Sequence, residues 1–264
     1  MYKHISSTQN KAIKKLLQLT EKSRNRRKEA LFVVEGFREI NLALSAGYQL
    51  QQLYFSEELL SENNLNALSI EKGKITELSL EVYKKISYRS STEGVVAVMH
   101  TKEHALRGIK FERENPLVLV AEAPEKPGNI GALLRTADAA NLDAVFIANP
   151  KTDLYNPNII RSSVGCIFTN QIATGSTKEI IDFLKQKSIA IYCAALQNSS
   201  LYTQQNYTNA SAIVVGTEAD GLEEEWLQNS TKNIIIPMQG KIDSMNVSVA
   251  AGILIFEAKR QRKF

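Results

Sequence analysis

The chain has 264 residues, of which 44% are hydrophobic and 23% charged, and a formal net charge of +4. That apolar content supports a packed core and excludes a disordered chain. No apolar run approaches the roughly 18 residues that span a bilayer, and residues 1–10 lack the apolar stretch of a signal peptide.

Ser7 to Lys28 reads as a helix. Ile13, Leu16, Leu17 and Thr20 form an i, i+3, i+4, i+7 stripe, and Ser6 or Ser7 can cap it. The other face carries Lys11, Lys14, Lys15 and Lys22 and runs into Arg24, Arg26, Arg27 and Lys28. Leu31–Val34 is a short apolar strand, and Gly36–Ala46 is a helix stopped by Gly47. Strands at Leu50–Phe55, Lys74–Leu78 and Gly94–Met99, with helices at Glu57–Leu68 and Leu80–Ile86, complete a smaller α/β domain over residues 1–100. The polar stretch 101–115 ends before Pro116 and reads as a linker.

Residues 116–264 form a second domain. Strands are expected at Leu117–Ala121, Ala144–Ala148, Ile167–Ala173, Ile189–Ala194, Ala212–Val215 and Asn233–Ile236. Helices are expected at Gly128–Ala140, Pro157–Val164, Lys178–Lys187 and Glu223–Gln228, with a last one from Ser244 to Arg262. Such alternation implies a parallel sheet with crossover connections.

Charge divides with the domains. Residues 1–108 hold 17 Lys and Arg against 12 Asp and Glu; the remainder holds 15 against 16. A basic first domain suits a polyanion as partner, or is simply a solvated helix face. Cys166 and Cys193 give neither a disulfide framework nor zinc spacing, and read as buried thiols in a reducing, cytoplasmic setting. The histidines are His4, His100 and His104. Chemistry in the second domain therefore runs without a histidine base or a histidine-bound metal, and no metal site is expected. No G-x-G-x-x-G or G-x-x-x-x-G-K-[ST] follows a strand, which disfavours dinucleotide-binding and P-loop enzymes.

Three segments at strand ends carry the remaining signal. The first, Pro127-Gly128-Asn129-Ile130-Gly131 followed by Arg135, is a tight strand-to-helix turn. Arg135 there either makes a salt bridge or faces a phosphate or a reacting oxygen. The second, Gly216-Thr217-Glu218-Ala219-Asp220-Gly221, leaves a buried strand. Its carboxylates are functional or, more simply for Asp220, cap the next helix. The third runs Ile236-Pro237-Met238 to Ser244-Met245-Asn246 and enters the last helix with more polar groups than one cap requires. Carboxylates, amides and an arginine without histidine suit a transfer in which positioning and electrostatics dominate.

These three segments, in this order, resemble the SpoU (TrmH-like) branch of the SPOUT RNA methyltransferases. The resemblance implies S-adenosyl-L-methionine as methyl donor and a ribose 2′-hydroxyl of RNA as acceptor. It also implies a parallel sheet whose C-terminal segment forms a trefoil knot, a rare exception to unthreaded topology, and a homodimer built on that knotted domain. Asn129, Arg135, Glu218, Ser244 and Asn246 match the family's functional positions. Gly216, Ile236, Met238 and Met245 fall where the cofactor is held, with Met245 standing where leucine is more usual. Asn141 replaces the common glycine after the first-motif helix and tolerates the same left-handed backbone. Phe32–Phe37 and Thr92–Ala97 resemble the family's substrate-binding domain, which makes Arg24, Arg26, Arg27, Lys28, Arg38 and Arg89 candidate RNA contacts. Ribosomal RNA is the expected substrate. Transfer RNA, or a non-catalytic RNA-binding scaffold, are the alternatives.

Overall fold

A computed structural model describes residues 2–87, 93–217, 221–241 and 244–264. The candidates Arg89 and Glu218, and also Asp220, lie outside the described residues. The chain divides into two units. One comprises Met1–Lys102 with Asp153–Thr169, and the other comprises Glu103–Thr152 with Asn170–Phe264.

The first unit opens with strand β1 (Lys3–Ile5), helices α1 (Lys11–Glu21) and α2 (Ser23–Glu29), strand β2 (Leu31–Glu35) and helix α3 (Phe37–Ser45). Strand β3 (Leu50–Phe55), helix α4 (Glu62–Ala67), strand β4 (Ile75–Leu78), helix α5 (Leu80–Ile86) and strand β5 (Val95–His100) follow. The sheet order is β1-β4-β3-β5-β2, with β5 antiparallel to both neighbours. Ile13 and Leu16 of α1 are buried as the stripe predicts, but Leu17 and Thr20 are only half-buried, and Leu19, outside the stripe, is buried in their place. The expected single helix from Ser7 is two helices, and its cap is Asn10, whose side chain accepts from the Ala12 N–H at 2.9 Å. Residues 3–5 are drawn into the sheet instead, where Ile5 is buried opposite Leu78. The helix breaks at the extended Lys22 because Arg26 folds back onto α1. Its Nη1 donates to the carbonyls of Leu19 (2.7 Å) and Thr20 (3.0 Å), which are free acceptors at a helix end.

In the second unit, strand β6 (Leu117–Glu122), helix α6 (Pro127–Ala139) and strand β7 (Ala144–Ala148) come first. Helix α7 (Pro157–Ser162) then leaves for the first unit. It is followed by β8 (Ile172–Gly175), α8 (Thr177–Gln186), β9 (Ala190–Ala194), β10 (Ser200–Leu201), β11 (Ser211–Val215), α9 (Glu224–Asn229), β12 (Lys232–Ile235) and α10 (Val247–Gln261). All neighbouring strands pair in parallel, in the order β10-β12-β9-β11-β6-β7-β8. The core includes Val118, Phe146, Ile191, Val214 and Trp226. Leu106, Ile109 and Phe111 pack against it, and Ala105 bridges Thr174, so the polar stretch expected as a linker is folded into this unit from Glu103 onward. Asn141 has φ 50°, the left-handed value its identity suggested.

The strand expected at Ile167–Ala173 begins only at Ile172. Residues 153–169 instead complete the first unit. Val164 (φ 53°) and Gly165 (φ 82°) turn the chain there, and a Cβ on Gly165 would lie 2.8 Å from Leu42. Tyr155 stacks 4.3 Å from Phe32, and its hydroxyl is 3.3 Å from that of Tyr48. Phe168 meets the Tyr48 ring edge-on at 5.1 Å. Arg26, a candidate RNA contact, is only 2% exposed, and its Nε donates to Asp153 at 2.5 Å. It is a structural arginine, because a buried guanidinium held by a carboxylate and two carbonyls cannot reach a phosphate. Arg26→Ala strands Asp153 and should destabilise the protein by about 3–5 kcal/mol, measured by urea unfolding.

Cys166 and Cys193 are buried free thiols, and burial pushes the Cys193 thiol up to about 12. Among the described residues no helix is long and apolar enough to cross a membrane, and no group of ligands suits a metal ion.

Candidate active site

The carboxyl ends of parallel strands are where open α/β sheets place ligands. All three singled-out segments leave such ends, from β6, β11 and β12. Pro127 starts α6 at the position where a missing N–H does no harm, and this puts Asn129 in the helix's first turn. Asn246 caps α10, with its Oδ1 accepting from the N–H of Ser248 at 3.0 Å and from its hydroxyl at 2.5 Å. The remaining end of that amide is directed at α6, where Asn246 Nδ2 donates to Asn129 Oδ1 at 3.1 Å. One side chain thus caps the last helix and ties the third segment to the first. The starts of two helices, 13 and 15 residues long, meet there, and their partial positive ends favour an anionic group.

Gly216 follows β11 and has no room for a side chain. A Cβ there would overlap the backbone of Gly221, because the loop closes on itself through Thr217 N–H to Gly221 O at 2.9 Å. Gly221 has φ 70°. Ile236, Met238 and Met245 are half-buried, so three apolar side chains in the third segment remain partly open.

Arg135 lies two turns into α6 on the stripe of Gly128 and Ala132, while its neighbours Leu133, Leu134 and Ala137 are buried. It is exposed and makes no hydrogen bond or ion pair among the described residues. Ser244 is likewise exposed and unpaired among them. The structure therefore joins Asn129 and Asn246, and leaves Arg135 and Ser244 open to solvent.

Sequence reasoning missed a buried network at the same sheet edge. Glu122, 2% exposed at the end of β6, accepts from Asn149 Nδ2 (2.9 Å), Thr177 Oγ1 (3.0 Å) and Trp226 Nε1 (2.5 Å). Those donors follow β7, open α8 and lie in α9, so one carboxylate pins three elements around the loops. The available signal was a charged residue closing an otherwise apolar strand, together with the chain's single tryptophan. In the first unit, Arg24, Arg27 and Lys28 are exposed without partners among the described residues. Arg38 is exposed and reaches only the Val164 carbonyl, at 3.5 Å.

Comparison with known proteins finds matches across both parts of the chain. A profile described as the SpoU rRNA Methylase family matches residues 116–256, and one described as an MRM3-like substrate binding domain matches residues 10–97. The 23S rRNA (guanosine(2553)-2′-O)-methyltransferase RlmP of Bacillus subtilis is 29% identical, over 97% of this chain and 99% of its own. A crystal structure of an RNA 2′-O ribose methyltransferase superimposes with TM-score 0.84 and 38% identity, covering 99% of this chain and all of the other. The SpoU methyltransferase AviRb of Streptomyces viridochromogenes, in complex with AdoMet, gives TM-score 0.87 and 26% identity over 96% of this chain and 99% of its own.

Proposed function

The chain belongs to the SpoU rRNA methylase family, and on that footing we propose that it methylates a ribose 2′-hydroxyl of RNA, with ribosomal RNA as substrate and S-adenosyl-L-methionine as donor. The observation that carries this reading is the Asn246–Asn129 hydrogen bond, which assembles the first and third segments at the sheet edge where the second also ends. The half-open Ile236, Met238 and Met245 side chains of the third segment suit a thioether and a nucleobase, and the tight Gly216 turn suits close approach of backbone to a ligand. The donor supplies an electrophilic methyl group on a sulfonium. Arg135 holds the phosphate next to the target ribose and orients its 2′-hydroxyl. Its guanidinium stays protonated, so it positions the hydroxyl and is a poor base for its proton. Asn129 and Asn246 fix the loops, Ser244 faces the acceptor, and Glu218 is assigned a part in the reaction from its motif alone.

The first unit is assigned to RNA holding, supported by the exposed Arg24, Arg27, Lys28 and Arg38 and by the substrate-binding profile across it. The trefoil knot is assigned to the chain after β11. In its favour, β12 pairs with β9, beyond β11, and α10 then returns to α6 and β11. A homodimer through α10 is supported by Val249 (54% exposed) and Phe256 (41% exposed), two turns apart on one face. Buried free thiols fit a cytoplasmic enzyme.

The test is to incubate the full chain with methyl-labelled S-adenosylmethionine and ribosomal RNA from a strain lacking it. Label recovered in alkali-resistant dinucleotides is expected. Label on a base, or none in RNA, sinks the proposal. A monomer in light scattering that retains full activity sinks the dimer.

A further inference from the structure

The opposite end of the second unit's sheet carries a charged feature that the methyl-transfer chemistry does not use. Leu117, Asn141 and Thr208 sit at or just before the amino ends of β6, β7 and β11, and with Arg113, Lys259 and Lys263 they line a cleft of about 620 Å3. The candidate active-site segments leave the carboxyl ends of the strands. A strand of five or six residues, about 16–20 Å, therefore lies between the two places.

Four cations converge on this cleft. Arg262 is clamped by backbone: its Nε donates to Tyr207 O (2.7 Å), Nη1 to Asn115 O (2.5 Å), and Nη2 to Asn209 O (2.5 Å) and Pro116 O (3.4 Å). Those carbonyls hold the guanidinium without cancelling its charge. Arg113 donates to Asn141 O at 2.8 Å and meets Asp143 at 3.3 Å. Lys259 is half-buried and makes no hydrogen bond or ion pair among the described residues. Its ammonium is pushed below the usual lysine range by burial and by Arg113 and Arg262, with Asp143 acting the other way. The acidic side chains facing the cleft are Glu114 and Asp143, and the latter is also occupied by the Leu117 N–H at 2.7 Å. A helix C-terminus by itself favours cations. Arg113, however, comes from the segment before β6, so two separate elements bring positive charge to one cleft.

We propose that this cleft binds a phosphodiester of the RNA substrate, with Lys259 as the principal contact and Arg113 and Lys263 beside it. The inference rests on the methyltransferase reading for the identity of the strand. The cleft is far larger than one phosphate ion, and the 76% exposed ring of Phe264 on its rim offers a base a stacking surface. Both features favour a strand over a free anion.

Lys259 makes no hydrogen bond or ion pair among the described residues, so Lys259→Ala should fold and dimerise like the parent. The test measures binding of a fluorescein-labelled stem-loop RNA by anisotropy at several salt concentrations, with Lys259→Arg as the conservative control. S-adenosylmethionine affinity and elution volume are measured alongside. Lys259→Ala should weaken RNA binding about five- to ten-fold at low salt and flatten the log–log salt slope by about one, and Lys259→Arg should restore both. Equal affinity and slope in parent and Lys259→Ala overturn the proposal while leaving the methyltransferase reading intact. A parent that binds no RNA overturns both. Loss of inorganic phosphate binding in Lys259→Ala with RNA binding unchanged assigns the cleft to a small anion and also overturns the proposal.

Discussion

Arg135→Ala is expected to lower methyl transfer on saturating RNA by on the order of 100- to 1,000-fold, the usual scale for removing one preorganised charge from a transition state. The guanidinium is exposed and has no partner within the chain among the described residues, so its loss should move stability by no more than about 0.5 kcal/mol. S-adenosylmethionine binding, followed by calorimetry, should be unchanged. Arg135→Lys keeps the charge but loses the planar fork, and should recover only part of the rate. An Arg135→Ala enzyme with the parent's rate would remove Arg135 from the reaction. A simultaneous loss of donor binding would assign it to the cofactor instead.

The second large effect concerns stability. Glu122→Ala leaves the buried donors of Thr177 and Trp226 without their acceptor, while the half-buried Asn149 keeps Thr177 Oγ1 at 2.8 Å. Each stranded group costs roughly 1–3 kcal/mol, so the loss should be about 3–5 kcal/mol, or roughly 6–20 °C in melting point. Trp226 is the only tryptophan, so its fluorescence reports this site directly. Its emission should change before global unfolding in the variant and only with global unfolding in the parent. A destabilisation below about 1 kcal/mol would mean that ordered water replaces the carboxylate.

Much of this molecule is legible in its residues because local rules and tertiary packing agree. Alternating apolar strands and capped helices fix the parallel sheet of the second unit, and the expected strands there lie within a residue or two of those found, β8 excepted. The three segments stand out because each leaves a strand through glycine or proline into polar residues. What the sequence conceals is side-chain destination. Arg26 sits among basic residues that face solvent, and nothing in its spacing reveals that Asp153, far along the chain, will bury it. Ile167–Ala173 reads as a strand from its apolar and β-branched residues, yet Val164 and Gly165 turn the chain so that Phe168 meets the Tyr48 ring within the first unit, and the strand begins only at Ile172. Ser244 and Asn246 together are more than one helix cap requires, and of the two Asn246 is the cap. Its second amide atom bridges to Asn129.

The excursion of residues 153–169 also bears on how the protein is made and dissected. Phe32, Tyr48 and Arg26 emerge from the ribosome long before Tyr155, Phe168 and Asp153, which complete their surroundings. The N-terminal unit therefore cannot close its core during synthesis until more than half of the chain has been translated, and its folding depends on contacts of high sequence separation. A fragment ending at Lys102 would expose an aromatic surface and an uncompensated arginine. An expression design that keeps either unit alone must carry or remove α7 deliberately, since no single cut separates them.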